Sequence, residues 1–184
     1  MEWILASASP RRKELLKNLI ENFAILPAQG EEQAEENLAP QELVCALATA
    51  KATEVAQRKE AGGKAVIGSD TVVAYNGEIL GKPKSVEDAA RMLRMLSGNI
   101  HQVYTGVCVV LPNGEKRVFF DVTSVHFYPL TEEFIFEYVA GGSPMDKAGA
   151  YGIQDGGLVE RIEGSYSNVV GFPVEKFAKF LQTL

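Results

Sequence analysis

The sequence is poor in the residues that build most metal and redox centres. Its 184 residues include only two cysteines and two histidines. Cys45 and Cys108 lie in apolar runs with no CxxC or Cys/His spacing, so a structural zinc site is not expected and the thiols read as reduced and buried. His101 and His126 alone cannot furnish a histidine-rich metal centre. Long hydrophobic runs are missing too. Nothing approaches the ~20 apolar residues of a membrane span, and the opening run 3–6, preceded by Glu2, is too short for a signal sequence. A basic excess is also lacking: Lys and Arg total 18 against 24 Asp and Glu, for a net charge of −6. That sign is opposite to what phosphate-dominated nucleic-acid binding requires. These absences predict a cytoplasmic protein that engages neither membrane nor nucleic acid. Familiar catalytic signatures are absent as well. There is no GxxxxGK[ST] phosphate loop, no D-x-D phosphatase nucleophile pair and no GxSxG elbow.

What is present suits one globular domain over residues 1–184, with scope for two lobes. Hydrophobic residues make up 46% and charged residues 23%, enough for a sizeable core and too apolar for wholesale disorder. The pattern predicts a short buried strand at 3–7, a helix from Pro10 to about Asn22, a strand near 23–27, and a helix from Pro40 towards Gly62-Gly63. A strand follows over 65–73. Asn76-Gly77 signals a two-residue hairpin, and Ser85 with Asp88 resembles a capping box for a helix closed by Gly98. Strands at 103–111 and 117–128 flank Asn113-Gly114, Thr131 caps a helix to about Ala140, and Pro173 opens a terminal helix after a glycine-rich stretch at 141–172. Helices alternating with at least two hairpins point to an α/β fold with a mixed sheet.

The candidate chemistry starts at Ser7-Ala8-Ser9-Pro10-Arg11-Arg12. A helix N-terminus carries partial positive charge and normally attracts acids, yet Arg11, Arg12 and Lys13 occupy this first turn. Such a strand-to-helix turn cradles anions, and the cations make sense if a phosphate chain arrives to balance them. The plain alternative is a solvated basic helix start. Asp70, in the apolar strand A-V-I-G-S-D-T-V-V, must meet a partner or emerge at a site, as a Mg²⁺ ligand, a general base, or a structural acceptor of backbone amides. Lys51 shares the stripe of Val44 and Leu47, so it either snorkels to water or points into a polar cleft. Lys82 is pinned between Gly81 and Pro83, suited to gripping phosphate or simply a turn lysine. The acidic Gly30-Glu31-Glu32 could complete a magnesium site or be merely solvated. Small residues around Tyr151 and Gln154 suit contact with a planar ligand, or a plain connector.

Together these segments resemble the Maf family of nucleoside triphosphate pyrophosphatases. The likeness runs through L-A-S-A-S-P-R-R-K-E-L-L, the acidic E-E, L-A-x-x-K-A, G-S-D-T-V-V, G-E-I-L-G-K-P, M-L-x-x-L-S-G, M-D-K-A-G-A-Y-G-I-Q and I-E-G-S-Y-S-N-V-V-G-F-P. It implies an elongated twisted mixed sheet flanked by helices, with two lobes around a cleft, similar to inosine triphosphate pyrophosphatase. It implies hydrolysis of a nucleoside triphosphate to monophosphate and pyrophosphate with Mg²⁺ or Mn²⁺, and points to a homodimer. By position, Asp70 matches the proposed proton acceptor; Ser9, Arg11, Arg12, Glu32, Lys51 and Lys82 match the polar set of the cleft; Arg11, Thr71 and Gln154 match positions tied to substrate choice. Glu32 and Asp70 are the implied metal ligands. S-P-R-R, D-T and K-A-G-A-Y-G-I-Q are similar to the dTTP/UTP branch. Asp155 stands where a glycine is common in the family, and the loop after it is short. The alternatives are a 7-methyl-GTP pyrophosphatase and a non-catalytic nucleotide-binding regulator of cell division.

Overall fold

The structure, a computed structural model, describes residues 1–30 and 37–184. It divides into two compact units. The first comprises 1–70, 105–121 and 171–184; the second comprises 71–104 and 122–170.

In the first unit, β1 (Trp3–Leu5) leads into α1 (Pro10–Lys17), and β2 (Ala24–Ile25) returns parallel to β1. α1 is shorter than its apolar pattern predicts. The amides of Asn18, Leu19 and Ile20 close tight turns on Leu15 and Leu16, so Ile20 is buried without a continuing helix. α2 (Pro40–Ala56) starts where Pro40 fixes the first helical φ and Glu42 accepts from the Ala39 amide at 3.0 Å. A single 3-10 turn then reaches Ala61. β3 (Ala65–Tyr75) pairs parallel to β1, with Ile4 opposite Val66 and Leu5 opposite Ile67. Strand alternation sorts the core. Trp3, Leu5, Ala65, Ile67, Val107 and Val109 join Leu16, Phe172 and Phe177 on one face, while Ile4, Ala6, Val66, Cys108 and Val110 join Ala48, Ala52 and Val55 of α2 on the other.

In the second unit the end of β3 turns through Asn76 and Gly77, both at positive φ, into antiparallel β4 (Glu78–Leu80). Two positive φ values in a two-residue connection are what a hairpin's twist demands. α3 (Val86–Leu96) is capped by Ser85, whose hydroxyl accepts from the Asp88 amide at 3.0 Å. The Asp88 carboxylate reaches back one residue further than a standard capping box, to the Lys84 amide. β5 (Ile100–Val110) and β6 (Lys116–Phe127) each run across the division of the chain. α4 (Glu132–Ala140) begins at the Thr131 cap. Among the described residues, the glycine-rich stretch holds short 3-10 turns, β7 (Val159–Glu163) antiparallel to β6, and the brief α5 (Tyr166–Val170). α6 (Val174–Leu181) returns to the first unit. The strand order is β2-β1-β3-β5-β6-β7 with β4 on β3: a mixed sheet in an α/β fold, as the pattern predicts. No helix is long and apolar enough to cross a membrane.

Candidate active site

The decisive contact in the first unit joins α2 to β3. Lys51 Nζ donates to Asp70 Oδ1 at 2.5 Å, with side-chain exposures of 18% and 10%. Two glycines make this contact reachable. A Cβ on Gly68 would lie 2.3 Å from the Ala48 carbonyl oxygen and 2.7 Å from the Ala52 amide. One on Gly106 of β5 would lie 2.4 Å from the Val44 carbonyl. With bare backbone at both positions, α2 lies directly on β3 and β5, and its next turn carries Lys51 down to Asp70. Asp70 is two residues beyond Gly68, hence on the same face. So Asp70 is not an orphan carboxylate: it is nearly buried, and Lys51 is bound to it.

The cationic turn is also built in this unit. Ser9 caps α1, its hydroxyl accepting from the Arg12 amide at 3.4 Å, while the Ser9 amide donates to Ser7 Oγ at 3.2 Å. The first turn of α1 contains no acid. Arg12 is half-buried, and its Nε donates to the Gly171 carbonyl at 2.9 Å, just before α6. Arg11 is half-buried as well. The structure therefore places a helix N-terminus and two half-buried arginines, Arg12 tied to Gly171, after the carboxyl end of β1.

In the second unit, Lys82 is exposed between Gly81 and the buried Pro83, and no side-chain hydrogen bond or ion pair of Lys82 is seen among the described residues. The Gly81 carbonyl accepts from the Gly149 amide at 3.1 Å, tying the Lys82 segment to K-A-G-A-Y-G-I-Q. Gly149 has φ +69°, and a Cβ there would lie 2.7 Å from Val73. Ala150 follows at φ 64°, a strained value for a residue with a Cβ, yet it is fully buried. Tyr151 anchors the segment from below, its hydroxyl 2.7 Å from His101 Nε2. Burial drives the His101 pKa down to about 3 and pushes the Tyr151 hydroxyl up, so both stay neutral at physiological pH. Gln154 is exposed on the last 3-10 turn. Thr71 opens this unit directly after Asp70, half-buried on β3.

A sequence profile of the family described as Maf-like protein matches residues 2–184. The chain belongs to the Maf family. Among relatives, a dTTP/UTP pyrophosphatase of Geobacillus sp. (strain WCH70) is 51% identical over 183 residues, covering 98% of this chain and 97% of that protein. One from Thermococcus kodakarensis is 52% identical over 176 residues, covering 94% and 91%. In fold the chain is similar to the Ham1 protein of Staphylococcus aureus (TM-score 0.56, 18% identity, 100% and 99% covered) and a HAM1 protein from Coxiella burnetii (TM-score 0.57, 13% identity, both chains fully covered).

Of the polar set that the Maf resemblance implies, Lys51 and Asp70 are in contact, and Ser9 and Arg12 share one cap. Glu32 and its acidic neighbours fall outside the described residues. No group of three or more His, Cys, Asp or Glu that could hold a metal occurs among the described residues. Asp70 does offer a hard oxygen donor, and Mg²⁺ is commonly held by one or two carboxylates with substrate phosphates and waters, so the donor chemistry fits. Both cysteines are free, as expected; Cys108 is buried as expected, whereas Cys45 is only half-buried, and burial raises both thiols. Sequence reasoning missed the seats at Gly68 and Gly106, although glycine inside an apolar strand is itself a sign of close backbone approach. It also missed Gly171, whose role is a carbonyl and so leaves no side-chain signal.

Proposed function

We infer that the protein hydrolyses dTTP and UTP to the monophosphate and pyrophosphate. The observation that carries this reading is the near-full-length identity to relatives named dTTP/UTP pyrophosphatase, in a chain whose Lys51–Asp70 pair supplies an ionisable group suited to activating water.

The roles of the residues follow from charge and position. Asp70 accepts the proton of the water that attacks the α-phosphorus, and Lys51, hydrogen-bonded to Oδ1, orients its carboxylate. Ser9, Arg11 and Arg12 receive the phosphate oxygens at the amino end of α1, where the helix dipole adds to the guanidinium charge. Lys82, with its backbone restrained by Gly81 and Pro83, balances charge on the leaving pyrophosphate. Thr71 and Gln154 read the edge of the pyrimidine, and a base lacking the matching groups leaves them unpaired. A divalent cation, Mg²⁺ or Mn²⁺, with Asp70 and Glu32 as ligands, supplies further charge neutralisation when bound. The reading places the protein in the cytoplasm and takes it to be a homodimer.

The test is pyrophosphate release from a panel of dTTP, UTP, CTP, purine triphosphates and 7-methyl-GTP, each with Mg²⁺ or Mn²⁺. dTTP and UTP should be turned over fastest, with no orthophosphate formed. Preference for 7-methyl-GTP, or binding of dTTP without turnover, would overturn the assignment.

A further inference from the structure

Asp155 is the hub of a polar cluster outside the set described so far. Its Oδ2 accepts from the Tyr138 hydroxyl at 2.5 Å and from Ser143 Oγ at 2.9 Å. Tyr138 in turn accepts from the Gly152 amide at 3.0 Å. Lys147 Nζ donates to Ser143 Oγ at 3.2 Å and to the Ser143 carbonyl at 2.6 Å, with a further bond to Asp146 Oδ1 at 3.0 Å. The chain of donors runs from a cation through a hydroxyl to the carboxylate on one side, and from a backbone amide through a phenol on the other. Burial works against ionisation of Asp155, but the Tyr138 and Ser143 hydrogen bonds and the Lys147 charge outweigh it and hold the carboxyl below its ordinary range. Hydrogen bonds to an ionised acceptor are the strong class.

The geometry around this hub is specific. A Cβ on Gly152 would lie 2.9 Å from Lys147 Cε and 3.1 Å from Asp155 Oδ2, so the lysine stem and the carboxylate close over bare backbone. Gly157 sits where a Cβ would press on the Phe134 ring at 3.1 Å, and Phe134 stacks on Tyr138 at 6.0 Å between ring centres. The turn Ile153–Asp155 is thus clamped at both ends against α4, and its middle residue is Gln154.

We propose that Asp155 is a positioning residue for pyrimidine selection: by fixing the turn Ile153–Asp155 on Tyr138 and Ser143, it sets the orientation in which Gln154 presents its amide to the base. The proposal rests on the reading of Gln154 as a base-contacting residue. Misorientation of that amide weakens recognition of the base in ground and transition states alike, so it raises KM and leaves kcat in place.

The experiment compares wild type with Asp155→Ala, Asp155→Asn, Tyr138→Phe, the Asp155→Ala/Tyr138→Phe double variant and Gln154→Ala, using dTTP and CTP as substrates and hydrogen exchange at the Gly152 amide. Asp155→Ala should raise KM for dTTP about tenfold, with kcat within about twofold and the preference for dTTP over CTP reduced. Asp155→Asn keeps an oxygen acceptor and should recover most of the loss. The double variant should be no worse than Asp155→Ala, because both substitutions break one network. Exchange at Gly152 should quicken in Asp155→Ala and Tyr138→Phe. Faster exchange with unchanged KM and selectivity would make the cluster purely structural and overturn the proposal. A raised KM in Asp155→Ala alongside an unaffected Gln154→Ala would overturn it too, by removing Gln154 as the group through which Asp155 acts.

Discussion

Lys51 and Asp70 show how far a single side chain's surroundings decide its chemistry. Asp70 lies in the apolar strand β3, where a carboxylate is costly unless paired, and one partner it finds is a lysine placed one turn after Leu47 on α2. Both residues stand out in the sequence for that reason: each is a charge in a row of aliphatic neighbours. Lys82 stands out differently, through its flanking Gly81 and Pro83, and its exposed side chain is seen to hold nothing in place among the described residues. Lys82→Ala should therefore leave the unfolding free energy within about 0.5 kcal/mol of wild type, while KM for dTTP rises about tenfold or more. A parallel loss of stability would show that the lysine serves the fold and not the phosphates. Arg12 is the contrasting case. Its Nε binds the Gly171 carbonyl, so Arg12→Ala should lower both affinity and stability, the latter by about 1–2 kcal/mol in denaturant titration.

Elements were legible where local chemistry sets their limits. Asn76-Gly77 demanded a hairpin and has two positive φ values; Ser85, Thr131 and Pro40 start the helices they signal. The ends of α1 and α2 were not legible, because both helices stop earlier than their apolar pattern suggests and give way to tight turns. The stretch after α4 was opaque for a related reason. Its shape depends on distant groups, such as the Gly81 carbonyl that holds Gly149 and the His101 ring beneath Tyr151, and on a positive φ at Ala150 that composition does not announce. The seating of α2 is a property of two glycines acting at a distance in sequence. Gly68→Ala would push a methyl into the Ala48 carbonyl, and backbone cannot swing aside as a side chain can. That variant should lose about 1–3 kcal/mol in denaturant titration and most of its activity, since lifting α2 withdraws Lys51 from Asp70. Retention of full activity would show that the pair does not depend on this contact.

At the scale of the whole molecule, each unit carries its own core. Two apolar clusters cover the two faces of the strands in the first, and one gathers Leu80, Leu93, Val125, Phe127 and Tyr151 in the second. The second core contains a titratable group. His101 stays neutral in the fold down to about pH 3, whereas the unfolded chain protonates it near the ordinary histidine value of 6.5. The unfolded state therefore binds the extra proton between those limits, and stability falls as pH drops through that window, by on the order of a few kcal/mol. Chemical denaturation from pH 7 to pH 4 should show this slope in wild type, and His101→Gln, which retains a hydrogen-bonding group for the Tyr151 hydroxyl, should flatten it. An unchanged slope in that variant would assign the acid sensitivity to other groups. The Maf resemblance also implied a mixed sheet flanked by helices, and the Ham1-like neighbours agree with that at the level of fold.

The claim on which the functional account turns is that the carboxylate held by Lys51 performs the proton transfer of triphosphate hydrolysis. Asp70→Asn preserves shape and volume while removing the base. Measured side by side for pyrophosphate release from dTTP and for dTTP affinity, this variant should lose about 10²–10⁴-fold in kcat while its dissociation constant stays within about threefold of wild type. Pyrophosphate release at near wild-type rate from a variant with no carboxylate at this position would contradict the account.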